Sequence, residues 1–144
     1  MSFDLKIING DLALGSTNDL AKVEGTTKLI QDVIKIIFTQ IGANPFHPWY
    51  GCPITSSLIG RALEENFVSN MATTQLQASL TRLQTLQKEQ LKTNQAVSGE
   101  EQLAAIQNVS VQRSDVDPRF YRIFLTILSK SLRRIDIPLE IPII

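Results

Sequence analysis

Near the start of the chain apolar and polar positions alternate: Phe3, Leu5 and Ile7 are separated by Asp4 and Lys6, and Leu12 and Leu14 resume the alternation after Asn9-Gly10. Period two is the strand pattern, and Asn-Gly supplies the two positive φ angles of a type I′ turn, so a β-hairpin is predicted here. Gly15-Ser16-Thr17-Asn18 reads as a turn, with Leu20 to Val23 a further short extended piece. After Gly25 the period lengthens. Ile30, Val33, Ile34, Ile37 and Ile41 fall three and four apart, with Leu29, Ile36 and Phe38 widening the stripe. This predicts a helix capped by Thr26 or Thr27 and closed by Gly42.

The segment GANPFHPWYGCPI is too rich in proline and glycine for a regular element. A second helix is expected from a cap at Thr55, Ser56 or Ser57 to about Phe67–Asn70, burying Leu58, Ile59, Ala62, Leu63 and Phe67. A third is expected over Thr74 to Val97, where Leu76, Leu80, Leu83, Leu86 and Leu91 make a narrow stripe among Gln, Thr and Lys. Ser98-Gly99-Glu100-Glu101 ends it. Val109 and Val111 open a β region, Ser114 to Pro118 is a turn, and Phe120 to Leu128 is an apolar run. In the last strand Ile135, Ile137, Leu139 and Ile141 alternate with Arg134, Asp136, Pro138 and Glu140. Pro138 and Pro142 remove amide donors from one lateral side, which should therefore be a sheet edge, with the Phe120 to Leu128 strand on the other. The fold expected is α+β: an N-terminal β-hairpin arm (1–24), then a domain (25–144) of three helices packed on a small antiparallel C-terminal sheet.

Charge narrows the function classes. Among 144 residues, 14 Lys and Arg balance 14 Asp and Glu, leaving no basic footprint for nucleic acid. The start shows no basic-then-apolar secretory pattern, and the longest apolar run, near VIKIIF, is interrupted by Lys35, so no membrane partner or span is expected. One cysteine, Cys52, and one histidine, His47, allow neither a disulfide framework nor a multi-ligand metal site within one chain, and no glycine-rich phosphate loop occurs. No cofactor is expected. Near-neutral net charge resists association weakly, which suits a part of an assembly.

The order of these segments, above all Gly25 through Ile41 followed by Pro48-Trp49-Tyr50-Gly51, resembles the baseplate wedge family of contractile-tailed phages, the GPW and gene-product-twenty-five group also present in type VI secretion machines. The resemblance spans Leu20 to Ile141. It implies a domain like the sheath-attaching domain of the tail sheath, and a structural role as sheath initiator with other wedge proteins, the tail sheath protein and tube or hub proteins as partners. It places the chain in the virion baseplate, assembled in the bacterial host cytoplasm, with six copies as the family geometry. Where such proteins carry Glu-Pro-Arg, this chain has Gly99-Glu100-Glu101-Gln102.

Three groups of residues are candidate partner contacts. Pro48, Trp49, Tyr50 and Gly51 form an aromatic loop of the kind that anchors interfaces, or else pack over the helices. Leu76, Leu80 and Leu83 are a seam for a helix of another chain, or core. Ile135, Ile137, Leu139 and Ile141 mark a strand that belongs to the domain's own sheet and is a candidate for intermolecular pairing. Two rival readings have their own residues. A tail-associated peptidoglycan hydrolase would need two carboxyls across a cleft, and the candidates Glu64-Glu65 and Glu100-Glu101 are adjacent in sequence rather than facing. A Cys52–His47 nucleophilic pair lacks an orienting third group. A cytosolic homo-oligomer built on the leucine seam is the remaining alternative.

Overall fold

A computed structural model describes residues 3–58, 65–93, 98–117 and 119–142. Four two-residue strands, β1 (Asp4–Leu5), β2 (Ile7–Ile8), β3 (Asp11–Leu12) and β4 (Lys22–Val23), precede helix α1 (Gly25–Phe38). A five-residue helical turn α2 (Ile54–Leu58) and the long helix α3 (Glu65–Lys92) follow, then a 3-10 turn (Gly99–Glu101) and strands β5 (Leu103–Arg113), β6 (Phe120–Ser129) and β7 (Arg134–Pro142). The last three form an antiparallel sheet in the order β5-β6-β7. The architecture is α+β; among the described residues there are two long helices and one short helical turn where three helices were expected.

The core lies between the two long helices and one face of that sheet. Leu29, Val33, Ile36 and Ile37 from α1 meet Val68, Ala72, Leu76, Leu80 and Leu83 from α3, and Ile123, Leu125, Ile127, Ile137 and Ile141 from the sheet. Each fully buried Leu or Ile contributes roughly 1.5–3 kcal/mol relative to exposure. On α1 the most buried line is Leu29, Val33, Ile36 and Ile37, while Ile30 and Ile34 are only partly covered.

Helix boundaries differ from expectation for local reasons. Neither Thr26 nor Thr27 caps α1: Glu24 holds the extended N-cap position without a side-chain bond, and the hydroxyl of Thr26 is buried with no hydrogen-bond partner among the described residues. The cap is non-local, because the Gly25 amide donates to Glu101 Oε1 at 3.4 Å. The helix ends at Phe38 rather than Ile41, where the Thr39 amide and hydroxyl both turn back to the Lys35 carbonyl. In α2 the serines are not caps, since helix begins at Ile54 and the Ser57 amide donates to the Pro53 carbonyl. Phe67 was expected in a buried face of the second helix, but it belongs to α3 and is 56% exposed. Ile59, Ala62, Leu63 and Glu64 lie outside the described residues.

The β region starts at Leu103, well before Val109. Register shifts between Leu103 and Ala105 and between Ile106 and Asn108 break the period-two pattern, so it is invisible until the strand becomes regular. The last strand agrees with its alternation: Ile135, Ile137, Leu139 and Ile141 are buried, and Arg134, Asp136, Pro138 and Glu140 are exposed.

Candidate interaction site

The residue pairing fixes where the C-terminal sheet can accept another strand. Among the described residues β7 pairs only with β6, and β5 pairs only with β6, so each has one outer edge. Pro138 has no amide hydrogen, so the β6-facing residues of β7 are Ile135, Ile137, Leu139 and Ile141, and Arg134, Asp136, Pro138, Glu140 and Pro142 turn their backbones outward. That outer edge is interrupted at both prolines. In β5 the Ser114 amide reaches the Phe120 carbonyl, so even-numbered residues from Asn108 onward face β6 and Val109, Val111 and Arg113 face out. This second edge carries no proline from Leu103 to Arg113.

The beginning of β5 is closed by side chains from α3. Gln87 Oε1 accepts from the Leu103 amide at 2.8 Å while its Nε2 donates to the Glu101 carbonyl at 2.9 Å. Gln84 Nε2 donates to the carbonyls of Leu103 and Ala104. Side-chain amides thus stand in for a neighbouring strand over the first residues only.

The aromatic loop is tied to α3. Gly51 has φ +124°, and a Cβ there would lie 2.5 Å from the Thr39 carbonyl oxygen, so only glycine fits. Its carbonyl accepts from Ser79 Oγ and Arg82 Nη1. The Trp49 ring meets the rings of His47 and Tyr50 edge-on, at 5.4 and 6.5 Å. Pro48 and Trp49 are exposed, Phe46 is 87% exposed, and Tyr50 is half-buried, where burial pushes its phenol pKa up.

The candidate contacts are therefore not one surface. Leu76, Leu80 and Leu83 are buried in the chain's own core, so reaching another chain through them would require the core to open. Ile135, Ile137, Leu139 and Ile141 point their side chains into the same core. Pro48 and Trp49 are accessible, whereas Gly51 is buried and acts by shaping the loop.

The polar candidates fall apart similarly. Cys52 is buried with its thiol 3.9 Å from the Gln75 carbonyl, while the exposed His47 lies against Trp49. Glu101 is fully buried and accepts from the amides of Gly25 and Ser98, unlike its exposed neighbour Glu100. A cleft of about 350 Å³ between α1 and α3 holds Asp32 and Glu89, but Asp32 is held by Lys28 at 2.8 Å and Lys35 at 3.5 Å. Among the described residues no group of three or more His, Cys, Asp and Glu is arranged to hold a metal, and no helix is long and apolar enough to cross a membrane.

The N-terminal strands hold a feature the alternation did not reveal. The amide of Lys6 donates to Ala21, that of Ala21 to Ala13, and that of Ala13 to Lys6, closing a triangle of backbone bonds at 2.8, 2.8 and 3.0 Å. Three short ribbons radiate from it, with partners Leu5 and Lys22, Ile7 and Leu12, and Leu14 and Leu20. Asn9 and Gly10 turn the middle ribbon with φ +52° and +81°, as Asn-Gly demands. The signal in the sequence is a threefold repeat, Asp4-Leu5-Lys6-Ile7, Asp11-Leu12-Ala13-Leu14 and Asp19-Leu20-Ala21-Lys22, with one triangle residue in each copy.

No protein-family model matches the chain, and no curated protein matches it. Among solved structures it is similar to a protein of Geobacter sulfurreducens named a "putative tail lysozyme", with a TM-score of 0.61, covering 93% of this chain and 97% of that one. At 11% identity over nearly the full length of both, the two chains share a fold.

Proposed function

We propose that the chain is a structural part of a contractile-tail baseplate that joins wedge proteins to the tail sheath and starts the first sheath ring by strand addition. The observation that carries this reading is the full-length fold likeness to a protein named for a tail. The sheet then supplies the chemistry. An incoming strand gains backbone hydrogen bonds along an edge, and alternating side chains set its register. The unblocked part of β5, Val109 to Arg113, is the receiving edge; β7 is the guarded one. The exposed Phe46, Pro48 and Trp49 of the aromatic loop serve a wedge neighbour.

The test is a proline scan in the tail-producing cells that encode the chain. Val109→Pro and Arg113→Pro each remove one outward amide from β5, while Asp136→Pro removes one from β7. With thermal unfolding of each purified variant confirming a folded chain, electron microscopy should show sheathless baseplates for the β5 variants and normal tails for Asp136→Pro. Sheathed tails from both β5 variants would refute strand addition at this edge.

A hydrolase reading draws on the neighbour's name. It predicts that the purified chain clears peptidoglycan and that Glu64→Gln or Glu65→Gln abolishes clearing. We favour the structural reading because the described candidate pair does not face across a cleft: Glu101 is buried and accepts from the amides of Gly25 and Ser98, while Glu100 is exposed.

A further inference from the structure

The three-ribbon unit is built inside out. In each ribbon the residues flanking the triangle positions Lys6, Ala13 and Ala21 share one face by the period-two rule: Leu5, Ile7, Leu12, Leu14, Leu20 and Lys22. Two residues before Leu5, Phe3 joins this face, its ring beneath the Lys22 ammonium at 4.3 Å. Exposure runs from 42% at Ile7 to 68% at Leu14, with Phe3, Leu12 and Leu20 between. The opposite face carries Asp4, Lys6, the half-exposed Ile8 and the buried Val23, and the first strand is fastened to α1. Gln31 Nε2 donates to Leu5 O at 2.8 Å and to Asp4 Oδ2 at 3.0 Å, Gln31 Oε1 accepts from the Ile7 amide at 3.0 Å, and Lys35 pairs with Asp4. Polar bonds and the buried Val23 attach the unit to the protein, and Phe3, Leu12, Leu14 and Leu20 are left exposed.

We infer that this face is the contact between two copies of the chain, packed apolar face to apolar face across a twofold axis. Five apolar side chains about half exposed amount to on the order of 500 Å², as large as the biggest apolar patch on an ordinary monomer. A standard interface covers about 800 Å² per partner, about 65% of it apolar in homodimers, so the patch supplies the apolar part of one such interface. Within the face the one charge, Lys22, is already stacked on Phe3. A chain with net charge zero meets no long-range repulsion from its twin. The tail reading does not enter this inference.

Sedimentation velocity tests it on the full chain. The wild type should reach twice the mass of the 16.1 kDa chain as concentration rises, and Leu12→Asp and Leu14→Lys should each stay monomeric with an unchanged circular dichroism spectrum. Phe46→Asp, in the equally exposed aromatic loop, should dimerise as the wild type does. Hydrogen exchange at the Leu14 and Leu20 amides should slow with rising wild-type concentration, a readout that needs no variant. A wild type that stays monomeric, or a dimer that survives Leu14→Lys, overturns the inference.

Discussion

The C-terminal sheet and the N-terminal ribbons both place apolar residues at alternate positions, and they aim them in opposite directions. In β7 the isoleucines lie under two helices, and the polar alternates face water. In the ribbons Leu12 and Leu14 face water, and the side toward α1 is held by Gln31 and the Asp4–Lys35 pair. Alternation states that a ribbon has an apolar face. What covers that face depends on how the ribbon is fastened, and here the fastening is polar.

The largest expected effect separates the two regions by stability. Ile37→Ala or Leu80→Ala, at fully buried positions, should cost about 2–5 kcal/mol. Leu14→Ala should change the stability of the monomer by less than about 0.5 kcal/mol. Urea unfolding at low protein concentration checks both, since association would otherwise add to the apparent stability. A Leu14→Ala loss of the core size would mean that the ribbon face is covered within the chain, and the contrast would collapse.

A finer comparison uses one device found in both regions. Gln87 and Gln31 each donate to one backbone carbonyl and accept from the amide two residues on, Glu101 and Leu103 in one case, Leu5 and Ile7 in the other. Gln87 is 5% exposed, so Gln87→Ala leaves the Leu103 amide to be buried without this acceptor and should cost about 2 kcal/mol of global stability. Gln31 is half-buried at the surface. Gln31→Ala should shift global unfolding by less than about 1 kcal/mol, and should show itself as faster hydrogen exchange at Ile7, with Leu103 unchanged. Equal global losses from the two would make the ribbons part of the same cooperative unit as the core.

Much of this contrast was legible in the residues, and the rest was hidden for identifiable reasons. The hairpin turn at Asn9-Gly10 and the guarded edge at Pro138 follow from backbone chemistry that no tertiary contact can alter. The cap of α1 was unreadable, because it comes from Glu101 on a segment far along the chain, while the local candidates Thr26 and Thr27 lie inside the first turn. The start of β5 was hidden by its register shifts. Gln84 and Gln87 are two of the many Gln residues around the leucine stripe, and only packing shows that they complete strand edges. In the leucine seam Leu76, Leu80 and Leu83 are core, with α1 and the sheet against them, while Leu91 at its far end is 39% exposed. The triangle at Lys6, Ala13 and Ala21 had a signal in the repeated Asp-Leu pairs, but hydropathy alone reports a hairpin there.

The smallest expected effect is electrostatic and acts on the fastening alone. Burial by itself would push the Asp4 carboxyl up, but hydrogen bonds from Lys35 and Gln31, with the charge of Lys35, leave it below its ordinary value of 3.8. Burial would likewise pull Lys35 down, and its bond to Asp4 and the charges of Asp32 and Asp4 leave it above 10.5. A depressed acid contributes stability that is present above its unfolded pKa and lost as pH falls through the folded one. A raised base contributes stability that is present below its unfolded pKa and lost as pH rises through the folded one. The clamp should thus hold across the neutral range and release below pH 3.8 and above pH 10.5. Both side chains are about a third exposed, so solvent screening limits the pair to less than about 1 kcal/mol, and salt should weaken it further. Asp4→Asn should flatten the acid limb of the Ile7 exchange profile at low salt while the core amides of α3 keep theirs. If the two limbs changed together, the ribbons and the core would be one electrostatic unit, and their difference would rest on packing alone.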